Sequence, residues 1–385
     1  MPQASKGLAS VKELYKDRAK RARELKAQGK KVIGYFCCYP PVEVMTAAGC
    51  VPYRLMGKVR EPITKADAYL ETIMCPYVRS VFDVGIKGGY DFMDGLVMPN
   101  SCDNVDFSYN VFRYYLKLPY NHYLNVPHNL EPSSYPFFEG EIDDFRKSLG
   151  KFTGVEITDQ RLKAAIKLHN ENRAVLQQLY DLRKQDPPLI LGSEMTELVV
   201  VGLITPVEEF TQLIKEVISE VKARPQRPPK KDVRLLIYAG EMDESDLMRL
   251  IEDAGAHVVI DDMCFGTRSF WGEVDNSTRP VAALAARYLD KVMCPRTFRT
   301  AETFQADQDL RFGYLRQFAK EYHANGAILY VLRFCDIHAF DAPDVREYLQ
   351  KTNVPTLYLE DDYSASAMGQ MKTRIQAFVE MAAQG

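Results

Sequence analysis

Two stretches of the chain, Gly95-Leu-Val-Met-Pro-Asn-Ser-Cys102-Asp103 and Gly326-Ala-Ile-Leu-Tyr-Val-Leu-Arg-Phe-Cys335-Asp336, share one pattern: a glycine, an apolar strand-like run, then Cys-Asp. Met-Cys-Pro also occurs twice, with Cys75 lying 27 residues before Cys102 and Cys294 lying 41 before Cys335. A cysteine at the C-terminal end of a strand sits where open α/β sheets form their ligand crevice. A duplicated unit of this kind would aim thiolates from two domains into one cleft, which reads as a metal-cluster site. Cys75, Cys102 and Cys335 would supply three ligands to an iron–sulfur cluster, and three in place of four leaves one iron open to water or substrate. The competing reading is a set of strand-end cysteines buried in a core.

Other chemistries fit less well. No C-x2-C or H-x3-H pair pre-organises a tetrahedral zinc site. Cys37 and Cys38 are adjacent and cannot form the C-x-x-C of a thioredoxin-type reaction. With Cys50, they lie in apolar or strand-like surroundings and read as packing residues. Neither a Walker A sequence nor G-x-G-x-x-G after a strand is present, so no nucleotide is expected on this chain and any ATP would be spent by a partner. G-x-S-x-G is missing too, and no catalytic residue is singled out.

The elements that must position these cysteines are legible as a βαβ grammar written twice. Val11 to Lys30 has the spacing of an amphipathic helix. A strand starts at Val32, Pro41 to Gly49 reads as a helix with Pro in its first turn and Gly at its end, and Val51 to Leu55 reads as the next strand. About two hundred residues later Val233 to Tyr238, Glu244 to Gly255 and His257 to Ile260 repeat strand, helix and strand. Between the halves, Thr158 to Lys184 has helical spacing and Thr205-Pro-Val-Glu-Glu opens a helix with a capping-box look. The run from Arg224 to Lys231 reads as a linker, and the chain closes with a strand over Val354 to Leu359 and a helix over Met371 to Met381. The expected fold is α/β, two Rossmann-like or flavodoxin-like parallel-sheet domains with a helical middle segment and the cluster in the cleft between them. The expected boundaries are an N-terminal helix over 1–31, a first domain over 32–150, a helical segment and linker over 151–230, and a second domain over 231–385.

With 385 residues, 46% of them hydrophobic, and a net charge of −3, the composition is that of globular material without general attraction to nucleic acid. The basic run over 16–31 reads as the solvated face of a helix. No apolar run approaches the roughly 18 residues of a spanning helix, and the N-terminus lacks an apolar signal core, so a cytoplasmic protein with no membrane contact is expected.

Five motifs in order carry a family likeness: Gly34-Tyr-Phe-Cys-Cys-Tyr-Pro-Pro-Val-Glu43 followed by Ala47-Ala-Gly49, then Cys75-Pro-Tyr-Val-Arg-Ser80, Pro99-Asn-Ser-Cys-Asp103, Phe334-Cys-Asp336, and Gly369 to Phe378. Together, over nearly the whole chain, they resemble the benzoyl-CoA reductase and 2-hydroxyacyl-CoA dehydratase family. The resemblance implies a small subunit holding a [4Fe–4S] cluster on Cys75, Cys102 and Cys335. It also implies a related larger iron–sulfur subunit or a second copy as partner. A separate dimeric ATP-dependent activator would deliver low-potential electrons, which enter a CoA thioester as a ketyl-type radical. An oxygen-sensitive protein of anaerobic aromatic degradation follows from it.

Three branches of that family are separated by further residues. Cys264, in Asp261-Asp-Met-Cys-Phe-Gly-Thr-Arg268, and Cys294 fall where the double-cubane branch, with its [8Fe–9S] cluster, places ligands, and 362–370 also looks like that branch. That branch has another cysteine between the positions of Cys75 and Cys102, where this chain has Gly85-Ile-Lys-Gly-Gly-Tyr-Asp91. The surroundings of Arg268 and Arg287-Tyr-Leu look more like the aromatic acyl-CoA reductase side than the dehydratase side. On the resemblance, Arg79 would offset cluster charge and Arg268 would face a thioester or CoA phosphate. Glu43 is either a helix-dipole partner or a proton donor. A cluster-free scaffold subunit is the alternative from a different class.

Overall fold

The computed structural model describes residues 6–364 and 367–384. The first five residues of the N-terminal segment and Ala365 and Ser366 of the 362–370 motif lie outside them.

Among the described residues, eight strands form two four-stranded parallel sheets. In the first, β1 (Val32–Tyr35), β2 (Val51–Arg54), β3 (Gly95–Pro99) and β4 (Tyr120–Leu124) run in the order β2-β1-β3-β4. In the second, β5 (Val233–Ala239), β6 (Ala256–Asp262), β7 (Gly326–Leu332) and β8 (Thr356–Asp361) run in the equivalent order β6-β5-β7-β8. All pairs are parallel, with Val32 opposite Val51 in one sheet and Leu235 opposite Gly326 in the other. The chain is therefore an α/β protein of two parallel-sheet units, and the repeated sequence grammar is repeated topology. In both sheets the winding reverses direction beside the first strand, which creates a crevice at the strands' C-terminal ends.

Strands β5, β6 and β7 are buried along their whole length, as expected where helices cover both faces. The helix Val207–Ala223 shows why: Phe210, Leu213, Ile214, Val217 and Val221 form one apolar stripe turned inward. Packing crosses the expected boundaries. One apolar core contains residues of both sheets, including Val32, Leu96, Leu235 and Ile328. The helix Pro280–Asp290 joins the core of the first sheet through Leu284 and Leu289 beside Ile33 and Val44. The helices Gly192–Gly202 and Val207–Ala223, with Val11 of the N-terminal helix, pack with the second sheet instead.

The local expectations need several corrections. The N-terminal helix is two helices, Lys6–Lys16 and Lys20–Ala27. Pro41 precedes the helix Val42–Ala47 instead of lying within its first turn. The capping box expected at Thr205 is absent, because Pro206 heads that helix and the Thr205 hydroxyl has no partner among the described residues. One half of such a cap stands at Gly192–Gly202, where Glu194 accepts from the Leu191 N–H at 2.9 Å, while the apolar Leu191 side chain returns no bond.

Candidate metal centre

Three helices point their N-termini at one place. Cys75 immediately precedes Pro76–Ile86, Cys102 precedes Asp103–Leu116 after β3, and Cys335 precedes Asp336–Lys351 after β7. Pro76 suits the first helical position because no carbonyl within the helix awaits its missing N–H. The partial positive charge at each N-terminus favours a thiolate, or any anionic group, held there.

These cysteines line one cavity of about 310 Å3 together with Cys37, Cys264 and Cys294. Cys75, Cys37, Cys264 and Cys294 are buried, while Cys102 and Cys335 are partly exposed and mark the mouth. The sequence reading missed Cys37, which follows β1 at the reversal point of the first sheet. Its φ of 63° is left-handed, as is the 62° of Phe334 beside Cys335, an uncommon state for residues with a Cβ. Cys38 lies behind Cys37, between it and Cys264.

The loops carrying the cysteines are stitched across the two units. Asn104 accepts from the Cys75 N–H at 2.8 Å and donates to the Phe334 carbonyl at 3.3 Å, tying the Cys75, Cys102 and Cys335 segments together. Arg296, two residues after Cys294, donates to the carbonyls of Asn100 at 2.8 Å, Val126 at 2.9 Å and Ser101 at 3.3 Å, and also to Pro127. Its guanidinium lies 4.8 Å from the centre of the Tyr39 ring.

Burial decides the electrostatics. It pushes the Cys75 thiol up to about 11 and the Cys294 thiol up to about 12, and raises Cys102 and Cys335 as well. Cys37 goes the other way: the hydrogen bond from Cys38 and the charge of Arg54 hold it below the usual thiol range against burial. Glu241, on the cavity wall after β5, is pushed up to about 7 by burial, with Arg54 opposing.

The two arginines expected to bind cofactor lie elsewhere. Arg79 donates to Asp67 and to the Thr72 carbonyl instead of turning to the cavity. Arg268 is 1% exposed and faces inward: it donates to Asp262 at 2.8 and 2.7 Å, to the Ala239 carbonyl at 3.0 Å and to His338 at 2.7 Å. A guanidinium so engaged has no free face for a thioester or a phosphate, so Arg268 belongs to the wall behind Cys264, whose sulfur is 3.7 Å away. Glu43 is likewise buried outside the cavity, paired with Arg173 and accepting from the Tyr288 hydroxyl at 2.8 Å.

The donor set suits a polynuclear sulfur-ligated group. Among the described residues no three His, Cys, Asp or Glu side chains are gathered closely enough to share a single ion. The thiols are spread instead around a space large enough for several atoms, with helix N-termini to offset negative charge.

Fold and site thus define a two-unit α/β protein with a thiol-lined cleft between its sheets. The chain belongs to the family described as 2-hydroxyglutaryl-CoA dehydratase, D-component, whose profile matches residues 37–382, and it is an enzyme component. It is 28% identical over 373 residues to a benzoyl-CoA reductase subunit of Thauera aromatica, covering 95% of this chain and 94% of that one. It is 24% identical to the (R)-phenyllactyl-CoA dehydratase beta subunit of Clostridium sporogenes, covering 93% of each. A further relative, the beta subunit of (R)-2-hydroxyglutaryl-CoA dehydratase from Acidaminococcus fermentans, is 24% identical, with 92% and 93% covered. Among the described residues no helix is long and apolar enough to cross a membrane.

Proposed function

We propose that this chain is the iron–sulfur subunit of an ATP-dependent acyl-CoA reductase of the benzoyl-CoA reductase type, with a [4Fe–4S] cluster on Cys75, Cys102 and Cys335. The observation that carries the reading is the convergence of three helix-heading cysteines from both units on one cavity. When bound, the cluster would take up single electrons at low potential and pass them toward an aromatic acyl-CoA thioester. The protein's own part is placement: helix N-termini offset the cluster's charge, buried walls limit water, and the mouth at Cys102 and Cys335 gives access. The relatives' names favour an acyl-CoA substrate and a second subunit, and the 28% identity to a reductase subunit inclines the choice away from a 2-hydroxyacyl-CoA dehydratase.

A partner subunit fits the surface around the mouth. Phe107 and Phe340 each lie five residues after a cysteine at the mouth and are 73% and 84% exposed. Apolar rings of this size left in water at equivalent places suit burial by a related subunit. The activator that spends ATP would be a separate protein.

Iron and acid-labile sulfide content of protein isolated without oxygen tests the proposal. About four irons per chain are expected, with loss of the cluster on Cys→Ser replacement at 75, 102 or 335. Full iron retention in all three variants would refute it. ATP-dependent reduction of benzoyl-CoA, with an added activator, separates the reductase from the dehydratase.

A second reading, a double-cubane reductase of small molecules, is favoured by one observation. Cys37, Cys264 and Cys294 share the cavity with the first three cysteines, so six thiols are present even though no cysteine lies between Cys75 and Cys102. About eight irons per chain would move the assignment there.

A further inference from the structure

His338 lies in the first turn of the helix that Cys335 heads, is 4% exposed, and lines the cavity. Its Nδ1 is 3.3 Å from the Cys335 sulfur and its Nε2 is 2.7 Å from Nη1 of Arg268. A guanidinium has five donors and no acceptor, so Nε2 must present its lone pair to Arg268. The imidazole proton then resides on Nδ1, the nitrogen that faces the sulfur. Arg268 cannot easily swing away, because Asp262 grips it at 2.8 and 2.7 Å and the Ala239 carbonyl accepts a further bond. Asp262 is fixed in turn by the Tyr314 hydroxyl at 2.7 Å. Gly240 completes the fit: a Cβ there would come within 3.0 Å of Cε1 and 3.1 Å of Nδ1 of the ring.

We infer that His338 is a positioning residue whose Nδ1–H donates to the Cys335 sulfur and raises the reduction potential of the cluster held there. The inference rests on the cluster reading above. A hydrogen bond to a ligand sulfur draws electron density from it and stabilises the more negative, reduced state. Burial strengthens the effect, since little water competes for the sulfur. The network Tyr314, Asp262, Arg268 and His338 thus selects one imidazole tautomer for the cavity.

The test is an EPR-monitored redox titration of the full-length protein, isolated without oxygen, as wild type, H338L and H338N. Asparagine keeps an amide N–H near the place of Nδ1, whereas leucine has no donor. The expected result is a more negative potential in H338L and a return toward the wild-type value in H338N. An unchanged potential in H338L, or an equal shift in both variants, overturns the inference. Should H338L fail to hold iron, pulsed EPR with isotope-labelled histidine in an H128N background, which removes the other histidine that lines the cavity, decides without altering position 338. Coupling to one histidine nitrogen and an exchangeable proton is expected, and its absence overturns the inference. Wild-type protein without iron would overturn the functional reading and this inference with it, whereas iron with an unmoved potential overturns this inference alone.

Discussion

Arg54, at the end of β2, and Glu241, just after β5, meet across the two sheet units in an ion pair at 2.7 and 2.8 Å. Arg54 is fully buried, with its guanidinium 4.7 Å from the centre of the Phe265 ring and its Nε and Nη1 without hydrogen-bond partners among the described residues. Glu241 is therefore its main compensation. Removing one partner strands a buried charge, which costs about 3–5 kcal/mol, while replacing both with apolar groups is much less harmful. R54M and E241L should each lower unfolding stability strongly, and the double variant should recover a large part of the loss. Urea unfolding of the four proteins measures the coupling, and strictly additive losses would contradict it.

A second buried pair gives a pH signature. Burial pushes the Glu43 carboxyl up, but the charges of Arg173, His169 and Arg287 outweigh it and hold the group at about 2, below its ordinary 4.5. The folded state thus binds the proton less tightly than the unfolded chain. Its stabilisation is complete above pH 4.5 and is lost as the pH falls toward about 2. E43Q should be less stable at neutral pH and should lose less stability on acidification across that window. Unfolding curves measured between neutral pH and about pH 3 make the comparison.

Iron counting separates the two roles available to Cys37. If the three thiols Cys75, Cys102 and Cys335 suffice, C37S should retain about four irons per chain. If six thiols share the load, wild type should carry about eight and C37S should fall well below that. Colorimetric iron and sulfide analysis of both proteins distinguishes the outcomes.

Arg296 clamps the loop before Cys102 through carbonyls to which no other side chain among the described residues donates. A hydrogen bond from a charged group is worth about 1.5–3 kcal/mol, so R296M should loosen this loop by roughly tenfold or more. Hydrogen exchange in peptides spanning 100–102 and 126–128 should quicken while β5–β7 keep their protection. Unchanged exchange at the loop would show that the clamp is dispensable.

The sheet units were readable because β1, β2 and β5–β8 are apolar runs set off by helices with clear ends, and because the second half repeats the first. The convergence of Cys75, Cys102 and Cys335 was readable for the same reason: strand ends and helix starts have fixed places in such a fold. Cys37 was hidden by its apolar neighbours, although the strand-end logic applied to Cys102 applies equally to Cys37, two residues after β1. Arg268 pointed the wrong way in the sequence reading because its partners Asp262, Ala239 and His338 come together only in the folded chain. Strand β4 and the helix Ser134–Thr153 went unread, since Tyr120–Leu124 is half polar and carries no marked alternation.

Asn104 joins segments that are 29 and 230 residues distant along the chain. Contacts of such separation form late, after most of the loop-closure entropy has been overcome by other pairings. The cavity therefore comes into being only when both halves have folded and docked, and neither half alone carries the thiol set. On the proposed cluster reading, loading would accordingly be a checkpoint on completed folding: a chain misassembled between its halves would stay colourless and could be told from the loaded protein before any turnover is measured.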